Sequence, residues 1–497
     1  MNHSSQNITS KQSRNLELYK HVLALNPSPF TSTAWMGAFP PTGLEYIAAS
    51  IKNLVGKVTL VDMRFDVEYC DLEKLNDFIR HEVDLLCISI SWRSGFDEIC
   101  AFVNKLPQGI TTVVGGHNAT EEVDNIFARC PNVNLIVRGE GEEIIQQVVT
   151  GVPYADIVGL SYRENGKIIH NKNAVLPDVA KLSFPDRSLR RCEYQWLQNG
   201  IKVMPHTFDT ILTTRGCPFK CKFCTFSLNP LGQKREYTER PLESVMEELK
   251  TITADLVMIA DDNFFTNPKR AEMLCDMIIE SGIKKIFVAQ TRIDVARHPS
   301  LLEKAARAGI KILLLGIESP HDWILKLIDK GFNQQQIREA IQVLRKHPFY
   351  LHAYFIYGNI GETEEEMVYI GRFAKEIGLD SISFQKLRIE KYSPLKEIVE
   401  NTPGYHYDEV GGPVYSDKYG LAALKKIRNR IRSEFYDFAQ LRWIIRKFMS
   451  LGILCKADVV RLLFKVPALL FAIVKRGIKN KSARRKEKAA KLEIFAP

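Results

Sequence analysis

From residue 19 to about 150, short apolar runs alternate with amphipathic stretches. The runs at 21–26, 57–62, 85–91, 111–115 and 135–137 are continuous and apolar, as strands buried on both faces should be. Between them, 44–53, 72–81, 96–105, 121–128 and 142–149 carry apolar residues at helical spacing. Strict strand–helix alternation predicts a parallel sheet covered on both sides, an α/β doubly wound domain of flavodoxin-like type. A hairpin is predicted at 157–171, with Asn165-Gly166 at its turn. The stretch 175–208 holds Pro177, Pro185 and Pro205 without a clear period, which predicts a linker.

Alternation resumes at Asp209. Strand-like runs at 210–213, 256–260, 285–290, 311–316, 350–357 and 381–387 are separated by helical segments at 242–252, 269–280, 300–308, 334–346 and 364–377. Six such units around one core predict a partial six-stranded (β/α) barrel, with chemistry at the carboxyl ends of its strands. The predicted organisation is a polar tail at 1–18, a doubly wound domain at 19–174, a linker at 175–208, a barrel at 209–392 and a basic helical C-terminal region at 393–497.

Composition changes this picture little: 45% apolar and 25% charged residues describe an ordinary globular chain. Charge changes it more. The net charge is +10, but the positive excess lies beyond Ala422 and leaves the rest mildly acidic. It is a tail property, and no aromatic residues interleave the final charge run, so nucleic acid is not the expected partner. The apolar stretch 459–474 contains Arg461, Lys465 and Pro467, too short and too charged to span a bilayer. It reads as a helix lying among lipid headgroups, aided by the basic cluster at 479–491; a helical cap with a solvated tail is the competing reading. The first fifteen residues lack the apolar core of a signal peptide. A cytoplasmic location is expected, with membrane association through the C-terminal region.

Candidate chemistry concentrates at strand ends. Cys217, Cys221 and Cys224 follow the first barrel strand with spacing C-x3-C-x2-C. Thiolates select zinc, copper(I) or iron–sulfur clusters, and a structural zinc requires four protein ligands. Three thiolates leave a four-iron cluster with one iron open; the alternative is a zinc knuckle completed by Cys192 or His206. Asp261, Asp262 and Asn263, then Arg292 and Asp294, then Glu318 and Ser319, then 357–363 mark the next four strand ends and form a polar rim. In the N-terminal domain the strand ends hold Thr42 and Gly43, Asp62 and Arg64, Ser91 and Trp92, Gly115, Gly116 and His117, and Gly139, Glu140 and Gly141. Glycine pairs allow close backbone approach to a ligand. Neither a Walker A sequence nor G-x-G-x-x-G after the first strand is present.

The three-cysteine spacing, with Phe223 before the last cysteine, resembles the radical S-adenosylmethionine (SAM) enzymes. That resemblance implies a four-iron–four-sulfur cluster whose open iron is chelated by SAM, and reductive cleavage of the sulfonium to a 5′-deoxyadenosyl radical. It also implies an external electron donor of flavodoxin or ferredoxin type. It implies SAM contacts from Phe223, Asp261, Asp262, Asn263, Arg292, Glu318 and Ser319, with the acidic segment on the amino group and Arg292 on the carboxylate. The turns Pro40-Pro41-Thr42-Gly43-Leu44, Val113-Val114-Gly115-Gly116-His117 and Arg138-Gly139-Glu140-Gly141-Glu142 resemble the cobalamin-binding domain that precedes many radical SAM domains. The strand-end residues Thr42, Gly43, Asp62, Arg64, Ser91, Trp92, Gly115, Gly116, His117, Gly139, Glu140 and Gly141 would then contact cobalamin. The D-x-H-x-x-G loop that ligates cobalt in other cobalamin proteins is absent; Asn26-Pro27-Ser28-Pro29 stands there, and His117 is the nearest histidine. The implied function is cobalamin-dependent methylation of an unactivated carbon in a hydrophobic, lipid-like small molecule. A radical ring cyclase or oxidase is the alternative enzyme, and a non-catalytic iron–sulfur/cobalamin sensor or carrier the alternative class. No side chain is assigned as the catalytic acid or base.

Overall fold

Two seven-stranded sheets organise the chain. The computed structural model describes residues 18–28, 38–91, 95–198, 200–224, 228–408, 412–469 and 471. In the first sheet, β1 (His21–Asn26), β2 (Lys57–Asp62), β3 (Leu85–Ser89), β4 (Thr111–Gly115) and β5 (Leu135–Val137) run parallel in the order β2-β1-β3-β4-β5. The expected hairpin is β6 (Leu160–Glu164) and β7 (Lys167–His170), which adds antiparallel to the edge of β5. The apolar runs are continuous because neighbouring residues enter different cores. Leu23 and Leu25 of β1 pack in one layer, whereas Val22 and Ala24 pack in the other. The strand order reverses between β1 and β3, which stay parallel, so a crevice opens outside their carboxyl ends, the usual ligand position in such sheets.

The second sheet is the partial barrel. It is built from β8 (Tyr194–Gln198), β9 (Ile201–Ile211), β12 (Leu256–Ile259), β13 (Ile286–Thr291), β14 (Ile310–Glu318), β15 (Tyr350–Tyr357) and β16 (Ser381–Lys386), in the order β16-β15-β14-β13-β12-β9-β8. Six strands are parallel, as expected, and β8 is antiparallel to β9. A short ribbon, β10 (Thr214–Arg215) with β11 (Thr238–Glu239), follows β9. Helices Leu242–Thr251, Pro268–Ser281, Pro299–Arg307, Gln334–Leu344 and Glu364–Glu376 cover the convex face and bury the largest core.

The stretch 175–208 departs from the expected linker. It holds β8 and the first eight residues of β9, and Arg190 bridges to Leu60 at the edge of β2. These strands are half-buried, so neither apolar continuity nor clean alternation marks them. Pro205 is tolerated because β9 pairs with β12 only from Phe208 onward and its pairing with β8 is bulged around Trp196. This segment also carries a seam of ion pairs between the sheets: Arg190 joins Glu45 and Asp209, Arg187 joins Asp209 and Glu248, and Arg191 joins Asp66.

Beyond the barrel come the ribbon β17 (Tyr405–Tyr407) with β18 (Val414–Ser416), helices Leu421–Phe435 and Phe438–Ser450, and a helix at 456–469. Leu421–Phe435 lies tightly on Glu364–Glu376, because a Cβ at Gly371 would come to 2.5 Å from the Ile431 carbonyl oxygen. Among the described residues no helix is long and apolar enough to cross a membrane. The basic cluster at 479–491 and the tail at 1–17 lie outside the described residues.

Candidate functional site

A cavity of about 390 Å³ lies where the carboxyl ends of β3, β4 and β5 face the loop after β9. Gly43, Ser91, Gly115, Gly116, His117, Gly139, Glu140 and Gly141 line one side. Arg215, Gly216, Asn229, Arg235 and Asp262 line the other, over a floor that includes Ile88, Val113 and Val137. Two of the glycines are required by space. Gly116 has φ +113°, and a Cβ there would sit 2.8 Å from the Ile90 carbonyl oxygen; at Gly141 it would sit 2.7 Å from Val137 Cγ1. Gly43 faces open space. Burial lowers the His117 pKa, so its imidazole is neutral at pH 7. His117, Glu121 and Glu390 bring one ligand atom each within 4.8 Å, which carries the segment after β16 to the same end of the domain.

Three predicted cobalamin contacts lie elsewhere. Thr42 Oγ1 sits 2.8 Å from Thr210 Oγ1 and pins the first helix to β9. Asp62 is fully buried and accepts from Arg64 Nη2 at 2.6 Å and from Asn26 Nδ2 at 3.0 Å. Arg64 Nη2 also donates to the Phe39 carbonyl at 2.9 Å, so both ends of this pair are used in closing the edge of the sheet. An Asp and an Arg two residues apart at a strand end satisfy each other without a ligand. Trp92 lies outside the described residues.

The cysteine loop is anchored at both ends. Fully buried Asp261 accepts from the Thr213 and Thr214 backbone N–H groups at 2.6 and 3.0 Å and from Thr213 Oγ1 at 2.5 Å. Its carboxylate is spent on the strand that leads into the loop. Asp262 Oδ2 accepts from Gly216 N at 2.9 Å, and burial pushes this carboxyl up to about 6. At the far end Cys224 N donates to Cys221 O, Lys222 N to Ile328 O, and Ser393 Oγ to Lys222 O. Cys221 is buried; Cys217 and Cys224 are partly exposed.

Arg292 binds this loop to the rim. Its Nη1 lies 3.8 Å from Cys221 Sγ, its guanidinium carbon 3.7 Å from the Phe219 ring centre, and Nη2 donates to the Lys330 carbonyl at 2.6 Å. Nε pairs with Asp294 at 2.9 Å, and Asn263 Oδ1 accepts from Arg292 N at 3.3 Å. Glu318 holds a left-handed conformation, φ +71°, at a register shift in β14, and pairs with Lys330 at 2.9 Å; both are buried. Backbone strain of this kind collects at functional sites. Lys330 Nζ lies 5.5 Å from the Phe223 ring centre, which brings Phe223 into the same group. Ser319 is fully buried, and its Oγ accepts from His321 N at the start of helix Asp322–Leu327. The rim thus gathers Phe223, Asn263, Arg292 and Glu318 beside the cysteines, while Asp261 and Ser319 serve as internal anchors.

The zinc-knuckle alternative loses its proposed fourth ligands. Cys192 lines a different pocket with Arg187, Arg190 and Arg191, and His206 Nε2 bonds the Ile453 carbonyl. Sequence reasoning missed Arg215, Glu142, Arg235 and Lys330. Lys330 carries no motif, and its partner Glu318 is 12 residues away. Arg215 stands directly before Gly216-Cys217, a position that could have drawn attention.

A half-barrel whose carboxyl rim bears a three-cysteine loop, faced by a doubly wound domain, defines the class. Residues 211–374 match the family model described as the radical SAM superfamily; the chain carries a radical SAM domain and is an enzyme that uses a four-iron–four-sulfur cluster and SAM. It is 27% identical over 385 residues to an uncharacterized methyltransferase of Pyrococcus horikoshii, covering 74% of this chain and 80% of that one. It is 26% identical over 344 residues to an anaerobic magnesium-protoporphyrin IX monomethyl ester cyclase of Synechocystis, covering 66% of each. In fold it is similar to OxsB, a cobalamin-dependent SAM radical enzyme solved with aqua-cobalamin and SAM bound. The TM-score there is 0.63 at 16% identity, covering 96% of this chain and 81% of that one.

Proposed function

We propose that this enzyme is a cobalamin-dependent radical SAM methyltransferase acting on an unactivated carbon of a hydrophobic small molecule. The observation that carries the reading is the shared cavity, in which glycine turns of one sheet face Arg215, Gly216 and Asp262 beside the cysteine loop. The glycines fit a broad, flat macrocycle, since Gly43, Gly115, Gly116, Gly139 and Gly141 bring backbone without side chains to the cavity wall. When bound, the cluster with SAM supplies hydrogen abstraction and cobalamin supplies a transferable methyl group. The chain supplies placement. Cys217, Cys221 and Cys224 would hold the cluster as thiolates, and the Asp262 carboxylate and Asn263 suit an ammonium. Arg292 and Lys330 suit a carboxylate, and the floor of Ile88, Val113 and Val137 excludes water. The electron comes from an external flavodoxin- or ferredoxin-type donor.

Anaerobic reconstitution with cobalamin, SAM and a reductant tests this. 5′-Deoxyadenosine together with S-adenosylhomocysteine supports methyl transfer. 5′-Deoxyadenosine alone supports ring closure or oxidation, the second reading, which the similarity to the Synechocystis cyclase favours. Neither product, with candidate substrate present, supports a sensor or carrier.

A surface feature bears on substrate class. On the helix at 456–469 and just beyond it, Val460, Leu463, Phe464 and Phe471 recur at helical spacing and stay exposed, Phe464 by 82% and Phe471 by 70%. Arg461 is exposed beside them. This apolar stripe with a basic flank suits the surface of an anionic bilayer, and with it a lipid-like substrate. Flotation of the full chain with anionic vesicles should be lost on truncation after Gly452; equal binding by both would overturn the membrane reading.

A further inference from the structure

We infer that Arg215 is a positioning residue that sets the cysteine loop against the cobalamin-side turns, an inference that rests on the cobalamin reading above. Arg215 lies in β10, two residues before Cys217, yet its side chain reaches the other domain. Nη1 donates to Glu140 Oε2 and Nη2 to Glu142 Oε1, each at 2.5 Å. The guanidinium carbon sits 5.0 Å from the Tyr46 ring centre on the first helix. The two carboxylates flank Gly141, where a Cβ would come to 2.7 Å from Val137 Cγ1, so the turn they belong to is closely packed on β5. Arg215, Gly139, Glu140, Gly141 and Glu142 all line the cavity. On the other side of Arg215, Gly216 is fixed by Asp262. One planar fork therefore connects the wall of one cofactor site to the first cluster ligand of the other, through bonds that leave little play.

General adhesion between the domains does not explain the arrangement. The seam at Arg187, Arg190 and Arg191 already joins them, with Arg190 held between Glu45 and Asp209. Buried ion pairs add little net stability compared with apolar replacements, and registry is their best-attested use. Lysine would keep the charge of Arg215 but cannot span two carboxylates with a fixed fork.

The test uses the reconstituted holoenzyme with cobalamin and SAM, comparing wild type with Arg215→Lys, Arg215→Met and Arg190→Met. Two quantities are read: S-adenosylhomocysteine formed per 5′-deoxyadenosine, and the magnetic interaction between the reduced cluster and cob(II)alamin in the electron paramagnetic resonance spectrum. A displacement of about 1 Å can cost roughly a hundred-fold in a positioned reaction. Arg215→Met should lower the product ratio on that order and alter the magnetic interaction, with Arg215→Lys in between and iron content unchanged. Arg190→Met, which weakens the other seam, should lower the melting temperature but leave both readouts as in wild type. Unchanged readouts in both Arg215 variants overturn the inference alone, as does an equal change in Arg190→Met. Wild-type protein that takes up no cobalamin overturns the cobalamin reading, and the inference with it. Should Arg215→Met fail to fold, Arg215→Lys and Glu140→Gln with Glu142→Gln carry the same comparison.

Discussion

The two sheets offer opposite kinds of rim to one cavity. On the doubly wound side the strand ends present glycine backbone, the acidic side chains among them, Glu140 and Glu142, are held by Arg215, and Asp62 with Arg64 is turned away into the sheet edge. On the barrel side the strand ends present side chains already engaged: Asp261 with the Thr213 and Thr214 backbone N–H groups, Arg292 with Asp294, Glu318 with Lys330. The difference follows from what each rim must hold. A broad ligand is recognised by shape and close approach, so side chains there would obstruct it. A small zwitterion beside thiolates is recognised by charge, and charges in a buried rim must be held in advance or they would be desolvated without a partner.

The contrast can be broken from either side. The largest effect is expected from Cys221→Ala, which should abolish SAM cleavage and bound iron while cobalamin uptake, followed by absorbance, persists. Loss of both together would show that the rims are not separable. Lys330→Met should be next. It strands Glu318 in a buried site at a cost of about 3 to 5 kcal/mol in denaturant unfolding, which Lys330→Met with Glu318→Gln should largely recover. Gly116→Ala probes the glycine rim. A side chain at φ +113° against the Ile90 carbonyl should cost about 1 to 3 kcal/mol and weaken cobalamin binding roughly tenfold, with iron content unaffected. An unchanged cobalamin affinity would mean that the turn does not touch the ligand.

The most gradual effect, spread over pH, concerns Glu362, in the loop after β15. Burial pushes its carboxyl up to about 8, against the Asn359 bonds that favour its charge. The folded protein therefore holds a proton that the unfolded chain releases at ordinary carboxyl pH. The stability that this proton contributes is complete below the unfolded value and is lost as pH rises towards 8. Unfolding free energy should fall across that window by about 1.4 kcal/mol per pH unit at most. Glu362→Gln should flatten the slope; an identical slope in both proteins would place the titration elsewhere.

The parallel strands were legible because burial on both faces leaves long apolar runs, as at 21–26 and 311–316. The cysteine loop was legible because its ligands are local in sequence. β8 and the start of β9 were not, since a half-buried antiparallel edge containing Pro205 has neither signature. Individual roles at the rims were harder still. Whether an aspartate at a strand end faces a ligand or two backbone N–H groups, as Asp62 and Asp261 show in different ways, depends on partners that the fold delivers from far along the chain. Arg215 and Glu142, 73 residues apart, are the same problem in reverse.

An open half-barrel has two free margins, and exposed margins invite other chains to add strands. Here one margin is occupied by β8, a short, bulged strand running against the grain of the other six. Near the opposite margin Arg388, just past β16, bridges to Pro413, a residue with no N–H to offer a newcomer. The first sheet ends similarly, with brief, largely exposed β7 on one side and the Arg190 bridge on the other. A barrel that must stay ajar to admit its ligands is thereby kept from polymerising through the same opening.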